Sequence, residues 1–372
     1  MLPKILGFCA VIALVGFGLQ KFINTPKKPT SAPKTKLIQL RSPDLQTMST
    51  NFYFRAVFPE DKSSRVNQQF QAALDGSLKA MEAVTTNMNI YRKDSEISKF
   101  NRCAPDKNFI LSPNTLKVMK YAHEVYKQSD GTFDATAKPL IMIWKNLEPK
   151  RVIKDPVTQK VMQEIGGIPT DAELKKARQS SKWSDIKLTK EGAIRLNSTV
   201  CVDLGGIAKG YAIDLATDAI KKAGSVGGLV NIGGDVRCFG KDANGKKWLV
   251  GVRNPFIQEK QELLVALAIS NNAVCTSGNY ERRKIIDGVS YSHIVNPQTL
   301  KPADLYPSVT VIAPTAMIAD AWATALSVLG PKGFKLIEPL GIEALIVVGT
   351  KDKHEIKMTP GFEKFIYKQK KK

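Results

Sequence analysis

Apolar side chains fall on every second position from Phe52 to Phe58, the period of a strand with one face toward a core. The spacing then changes. Val66 to Met88 carries apolar residues at helical intervals and predicts an amphipathic helix. Ser112 before Pro113 predicts a capped helix start, with the helix running to about Gln128. Residues 145–186 turn polar and rich in Lys and Pro, with one helix expected from Asp171 to Ser180, and read as a peripheral insertion. From Ile186 onward short apolar runs alternate with glycine turns. The segment from Ala316 to Leu329 is apolar and rich in Ala and Leu; it predicts a buried helix ended by Gly330-Pro331. A strand follows at Ala344 to Val348. Strands and helices mix without regular βαβ alternation, so the expected class is α+β.

The ends differ from the body. An uncharged apolar stretch from Ile5 to Gln20 sits between Lys4 and Lys21. It is longer than most signal-peptide cores and slightly short of a span of roughly 20 residues. It reads either as an uncleaved anchor or as a signal peptide cut after Gly18. Residues 1–23 are therefore assigned to a signal peptide or membrane anchor, 24–36 to a Pro- and Lys-rich extended linker, 37–367 to the folded body and 368–372 to a basic tail. Positive charge is denser after the apolar segment than before it, which opposes export on a simple charge count.

The formal net charge of +21 favours anionic partners: nucleic acid, acidic lipid or phosphorylated small molecules. No helix-turn-helix, zinc-finger or RRM pattern is present, so no nucleic-acid partner is expected. Five cysteines at irregular spacing, none in a CxxC pair, give neither a disulfide framework nor a zinc site. With three histidines in the chain, a His-rich metal site is not expected.

Candidate chemistry begins with Asp320 and Thr324, four residues apart on one face of the predicted apolar helix. A carboxylate there needs a partner to offset its desolvation. Mg²⁺ fits, because it takes oxygen ligands and keeps positions open for water and phosphate oxygens. The plain alternative is a capping or ion-paired Asp, with Thr bonded back to a carbonyl. Val200 to Tyr211 reads as strand, glycine turn and helix, with Gly224 as the C-terminal cap. Amides at such a helix start form an anion site, and Lys209 adds charge; a tight turn with a surface lysine is the alternative. Val230 to Arg237 reads as a strand interrupted by Gly233 and Gly234, either a ligand approach or a bulge with Asp235 paired to Arg237. Ser129 to Leu140 holds Asp130, Thr132, Phe133 and Asp134 in what reads as a turn. Thr276 to Arg282 offers hydroxyls around a glycine that suit phosphate. His293 is either structural or an acid/base group.

In their order these segments resemble the ApbE-type FAD:protein FMN transferase (flavin transferase) family. The resemblance spans roughly residues 45 to 350 and rests on Met48-Ser49-Thr50, Met88 to Arg92, Gly131 to Asp134, Asp203 to Gly210, Asn231 to Asp235, Thr276 to Glu281, His293 to Pro297, and Asp320 to Thr324. It implies an exported bacterial enzyme of the inner membrane, with its body in the periplasm or cell exterior. Such an enzyme uses FAD and Mg²⁺, attaches FMN to a threonine of an acceptor redox protein and releases AMP. On this resemblance Met48 and Tyr91 would meet the flavin end. Thr132, Phe133, Asp134, Asp203, Lys209, His293 and Ile294 would line FAD, and a carbonyl near Gly206 would join Asp320 and Thr324 on Mg²⁺. His293 is the first candidate for the base, with Asp320 and Asp203 as alternatives. Three positions depart from the family pattern: Asn279 and Asn296 stand in place of aspartates, and Leu300 in place of a glycine. Two rival readings stay open: hydrolysis of FAD to FMN and AMP, and FAD binding by a membrane-tethered protein without catalysis.

Overall fold

A computed structural model describes residues 36–61, 64–149, 151–154, 161–257, 262–278, 283–286 and 289–369. The N-terminal apolar segment, its linker up to Thr35 and Asn279 lie outside the described residues, as does Glu281. Among the described residues no helix is long and apolar enough to cross a membrane.

A nine-stranded antiparallel sheet forms the centre. Its order is Leu37–Arg41, Thr50–Pro59, Gly227–Ile232, Asp235–Phe239, Ala273–Gly278, Ser308–Ala313, Glu343–Gly349 and His354–Met358, with the short strand Leu45–Thr47 also paired to Thr50–Pro59. The expected alternation at residues 52–58 decides which core each side chain enters. Phe52, Phe54, Ala56 and Phe58 face the helical core, while Tyr53 and Val57 pack in a second core on the other face of the sheet. That second face is covered by the hairpin of Trp248–Arg253 and Leu263–Ile269.

The helices are α1 (Arg65–Met88), α2 (Glu96–Phe100), α3 (Pro113–Gln128), α4 (Lys138–Lys145), α5 (Asp171–Gln179), α6 (Ala208–Lys222), α7 (Ala316–Leu329) and α8 (Phe334–Ile337). The apolar face of α1 packs on α6, and α6 packs on α7. Local signals set these boundaries. The Ser112 hydroxyl accepts from the Thr115 amide at the start of α3, and the Thr315 hydroxyl accepts from the Ile318 amide at the start of α7. Gly224, with φ +95°, ends α6. Trp322, fully buried at the centre of α7, is the kind of side chain whose truncation costs ~3–5 kcal/mol.

Three expectations change. Gly233 and Gly234 do not interrupt one strand; they are the two central residues of a hairpin joining Gly227–Ile232 to Asp235–Phe239. Both have positive φ, +62° and +98°, as a tight two-residue hairpin turn requires. Residues 200–204 are extended but lie in no sheet. The Asn101 side chain stands in for a neighbouring strand, accepting from the Val202 amide and donating to its carbonyl, each at 2.8 Å. The polar insertion contains a hairpin, Arg151–Lys154 with Val161–Ile165, as well as α5.

Candidate functional site

The site lies where α6 and α7 touch. A side chain at Gly210 would collide with the Ala316 carbonyl oxygen at 2.2 Å and the Asp320 Cβ at 2.8 Å. Glycine is required there, and it lets the two helices meet backbone to side chain. The Gly210 amide donates to Asp320 Oδ2 at 2.9 Å. Burial pushes the Asp320 carboxyl up to about 6, with Lys209 drawing it back and Asp235 pushing it further up. Lys209 lies 2.5 Å from Asp235 Oδ2. Burial alone would lower its ammonium, but Asp235 and Asp320 hold it above the ordinary lysine value. Two buried acids and one half-buried ammonium therefore share one cluster, with Asp235 also accepting from the Thr276 amide.

The plain reading of Asp320 and Thr324 is partly visible. The Thr324 hydroxyl donates to the Asp320 carbonyl at 3.2 Å. The Cβ that Gly206 lacks would sit 3.3 Å from both Thr324 Oγ1 and Phe133 Cε2, so the glycine turn, the Thr324 hydroxyl and the Phe133 ring converge. Asp320, Thr324 and the turn around Gly206 thus offer a carboxylate, a hydroxyl and backbone carbonyls close together. An all-oxygen set with one anion suits a hard cation that keeps further positions for other ligands. Among the described residues no group of three His, Cys, Asp or Glu offers a richer metal cage.

Four amides of the glycine turn are committed inside the protein. Gly205 donates to Asp203 Oδ1, Ile207 and Ala208 to the Leu204 carbonyl and Gly210 to Asp320. The expected anion cradle is therefore narrower than the sequence pattern implies. Asp203 Oδ2 pairs with Lys138 at 2.6 Å, and the Asp203 amide donates to the Ala135 carbonyl, placing the glycine turn beside residues 132–138.

Thr132, Phe133 and Asp134 are buried or nearly so. The Thr132 hydroxyl donates to the Ser129 carbonyl. The Asp134 carboxylate accepts from the amide and hydroxyl of Thr136, and its Oδ2 lies 2.9 Å from an Arg178 guanidinium nitrogen. Burial pushes the Asp134 carboxyl up, and Arg178 opposes that. Both polar side chains are thus engaged within the protein, and the Phe133 ring points to Gly206.

Met48 and Ser49 form the tip of the hairpin between Leu45–Thr47 and Thr50–Pro59, both in the left-handed region at φ +49° and +61°. Non-glycine residues there store strain. The second hairpin tip is adjacent: the Gly233 amide donates to the Asn51 carbonyl, and a side chain on Gly233 would strike Thr50. Tyr91 is exposed on the connection between α1 and α2.

His293 is exposed, and Ile294 beside it is buried. Their loop is tied to residues 129–134 by Gln298, whose side-chain amide donates to the Asp130 carbonyl, and to α4 by Trp144, whose indole donates to the Leu300 carbonyl at 2.8 Å. Asn296 accepts from the amides of Gln298 and Thr299, closing an Asx turn that an aspartate would close equally. Leu300 has φ +63°, the conformation a glycine would take without strain.

Sequence reasoning missed three partners: Asp214, Lys138 and Arg178. The expected Asp235–Arg237 pair does not form. Arg237 instead pairs with Asp214 at 2.8 Å, and Asp214 also caps α7 by accepting from the amides of Ala316 and Met317. A carboxylate at a helix start is favoured by the exposed amides and the dipole. Lys138 and Arg178 were the other omissions. The one usable signal was charge placed within otherwise apolar or glycine-flanked runs: Asp214 in α6, and Lys138 before Pro139.

The protein is thus a mixed α/β one with an acid–lysine centre beside a glycine turn and oxygen donors of the kind a hard cation takes. Comparison with known proteins identifies its family. Residues 48–346 match the model of the ApbE family, and the chain belongs to that family. An FAD:protein FMN transferase of Vibrio cholerae serotype O1 is 31% identical over 292 residues, covering 77% of this chain and 83% of the relative. One from Escherichia coli K12 is 27% identical, covering 94% and 95%. Among solved structures, the flavin transferase ApbE from Vibrio cholerae superposes with TM-score 0.71 at 28% identity, over 89% of this chain and 99% of that one. The ApbE protein of Thermotoga maritima gives 0.72 at 26% identity, over 90% and 100%.

Proposed function

We propose that this chain transfers FMN from FAD to a threonine hydroxyl of an acceptor redox protein, with Mg²⁺, and releases AMP. The observation that carries the reading is the convergence of Asp320, Thr324 and Lys209 on the glycine turn at Gly206–Gly210. The threonine oxygen would attack the phosphorus on the FMN side of the pyrophosphate. The bond from that phosphorus to the bridging oxygen breaks, AMP leaves with the bridging oxygen, and the threonine proton passes to a base. Positioning and charge neutralisation do most of the catalysis in such a transfer. Asp320, Thr324 and a carbonyl near Gly206 would hold Mg²⁺, which when bound supplies neutralisation of charge on the pyrophosphate oxygens. Lys209, kept charged by Asp235, adds a fixed cation beside them. His293, which is exposed, would take the threonine proton, whose donor arrives from solvent on another protein.

We place the body outside the bacterial inner membrane, held by the N-terminal apolar segment; this rests on that segment and on the family resemblance. The reading without catalysis loses one of its motives, because Asn296 performs a turn role for which no acid is needed.

The deciding experiment incubates the protein with FAD and an acceptor of the family, with and without Mg²⁺. AMP is followed by chromatography, and flavin fluorescence on the acceptor in a denaturing gel. AMP and labelled acceptor should both require Mg²⁺. AMP without labelled acceptor would instead identify an FAD hydrolase. Asp320→Ala should abolish turnover with the fold intact, and normal rates in that variant at saturating Mg²⁺ would remove the metal assignment.

A further inference from the structure

Helix α4 carries a lysine at each end, Lys138 and Lys145, seven residues apart and therefore on one face, two turns apart. Both ammonium groups reach the same atom. The Tyr91 hydroxyl accepts from Lys138 at 3.1 Å and from Lys145 at 3.0 Å. They also stand 4.6 and 4.9 Å from the centre of the Tyr91 ring, within cation–π range. The ring is 67% exposed, so packing does not hold it; the two lysines do.

Lys138 does more than hold a phenol. It is buried, and its ammonium also pairs with Asp203 at 2.6 Å. The second Asp203 oxygen accepts from the Gly205 amide, the first residue of the glycine turn that leads to Gly206 and Lys209. One cation thus joins an exposed aromatic ring on the α1–α2 connection to the carboxylate that shapes the glycine turn. A buried ion pair is a weak source of stability compared with apolar packing. Its use here is geometric: it sets the ring and the turn at a fixed separation.

We propose that Lys138 and Lys145 are positioning residues for FAD, holding the Tyr91 ring and the Asp203 carboxylate as one preformed wall of the binding site. The proposal rests on the FAD-dependent reading above. Neither lysine takes part in bond making. Their effect is to remove the ordering cost of an exposed side chain before the ligand arrives, so their loss falls on affinity and KM rather than on the chemical step. The electrostatics agree with the geometry. Hydrogen bonding from Lys145 first, and then from Lys138, draws the Tyr91 phenol below the ordinary tyrosine value. Burial would lower Lys138, and Asp203 and Tyr91 hold it above the ordinary lysine value instead.

The experiment uses the full chain and two readouts, one of them independent of FAD. Phenol ionisation is followed by ultraviolet difference absorbance, with Tyr91→Phe identifying the Tyr91 component. FAD affinity is measured by fluorescence titration, and KM and kcat by AMP release. Lys145→Met alters an exposed lysine at the C-terminal end of α4, so it decides the matter even if Lys138→Met fails to fold. In Lys145→Met the Tyr91 ionisation should move to higher pH, with FAD affinity weakened about tenfold and kcat within about twofold; Lys145→Arg should recover both. An unmoved Tyr91 ionisation, or FAD affinity unchanged within twofold, overturns the proposal. Failure of the unaltered protein to bind FAD would overturn the functional reading instead, and the phenol titration would still report on the lysine pair.

Discussion

Gly210 and Asp320 are in contact through a missing side chain: the Gly210 amide holds the carboxylate at 2.9 Å, and a Cβ on Gly210 would lie 2.8 Å from the Asp320 Cβ. The same absence lets the Ala316 carbonyl approach α6. Gly210→Ala should therefore separate α6 from α7. Overpacking of this kind costs ~1–3 kcal/mol. Urea unfolding should show that loss, with catalytic activity falling further than stability because the Asp320 carboxylate moves. A variant of unchanged stability would mean that the helices slide apart freely, against the contact described.

Leu300 keeps a left-handed backbone at φ +63° while its side chain packs partly against the cluster of Leu140 and Trp144. The conformation costs a non-glycine residue about 1–2 kcal/mol. Leu300→Gly relieves that strain and loses half-buried apolar surface of similar worth. Stability should change by less than about 1 kcal/mol in chemical denaturation, which is small for removing a whole leucine side chain. A loss above about 2 kcal/mol would show that packing dominates at this turn.

Asn296 acts through its side-chain oxygen, which accepts from two amides of its own turn. Asn296→Asp keeps that oxygen, and AMP release should stay within about twofold of the unaltered rate. A gain of tenfold or more would reveal a direct role for an acid here. Asn296→Ala removes the turn bonds and should lower stability by about 1 kcal/mol.

Burial pushes the Tyr121 phenol up to about 12, against about 10 in an unfolded chain. The sign follows from which state ionises first. Between those values the unfolded chain has released its proton and the folded protein retains it, so deprotonation draws the equilibrium toward unfolding. The contribution of Tyr121 is complete below pH 10 and is lost as pH rises toward 12, by up to about 2–3 kcal/mol. Unfolding free energies measured across this range should fall more steeply for the native protein than for Tyr121→Phe. Parallel slopes would assign the alkaline loss to other groups.

What was legible in the chain was local. The helix from Ala316 to Leu329 declared itself by an apolar run and a terminal Gly-Pro, all within 16 residues of sequence. Asp320 stood out because a charge in such a run needs an explanation. The partners were not legible, because contact between distant segments selects them. Lys138 meets Asp203 across 65 residues and Arg237 meets Asp214 across 23, and no spacing rule predicts either. The Asp235–Arg237 expectation failed for the same reason that Gly233-Gly234 was misread: a hairpin sends Asp235 back along the neighbouring strand, where Lys209 of α6 lies within reach. The segment at 200–204 looked like a strand because its pattern is one, and only the Asn101 side chain shows why it has no strand beside it.

The Arg178–Asp134 pair changes the standing of the polar insertion. Arg178 belongs to α5, in the segment that reads as a peripheral insertion, yet its guanidinium meets a carboxylate that is fully buried beside the glycine turn. A buried acid stripped of its cation is costly by several kcal/mol. The insertion and the acid therefore form one unit of inheritance. A descendant that sheds α5 must also exchange Asp134 for a neutral residue, and a chimera that swaps either alone should fold poorly.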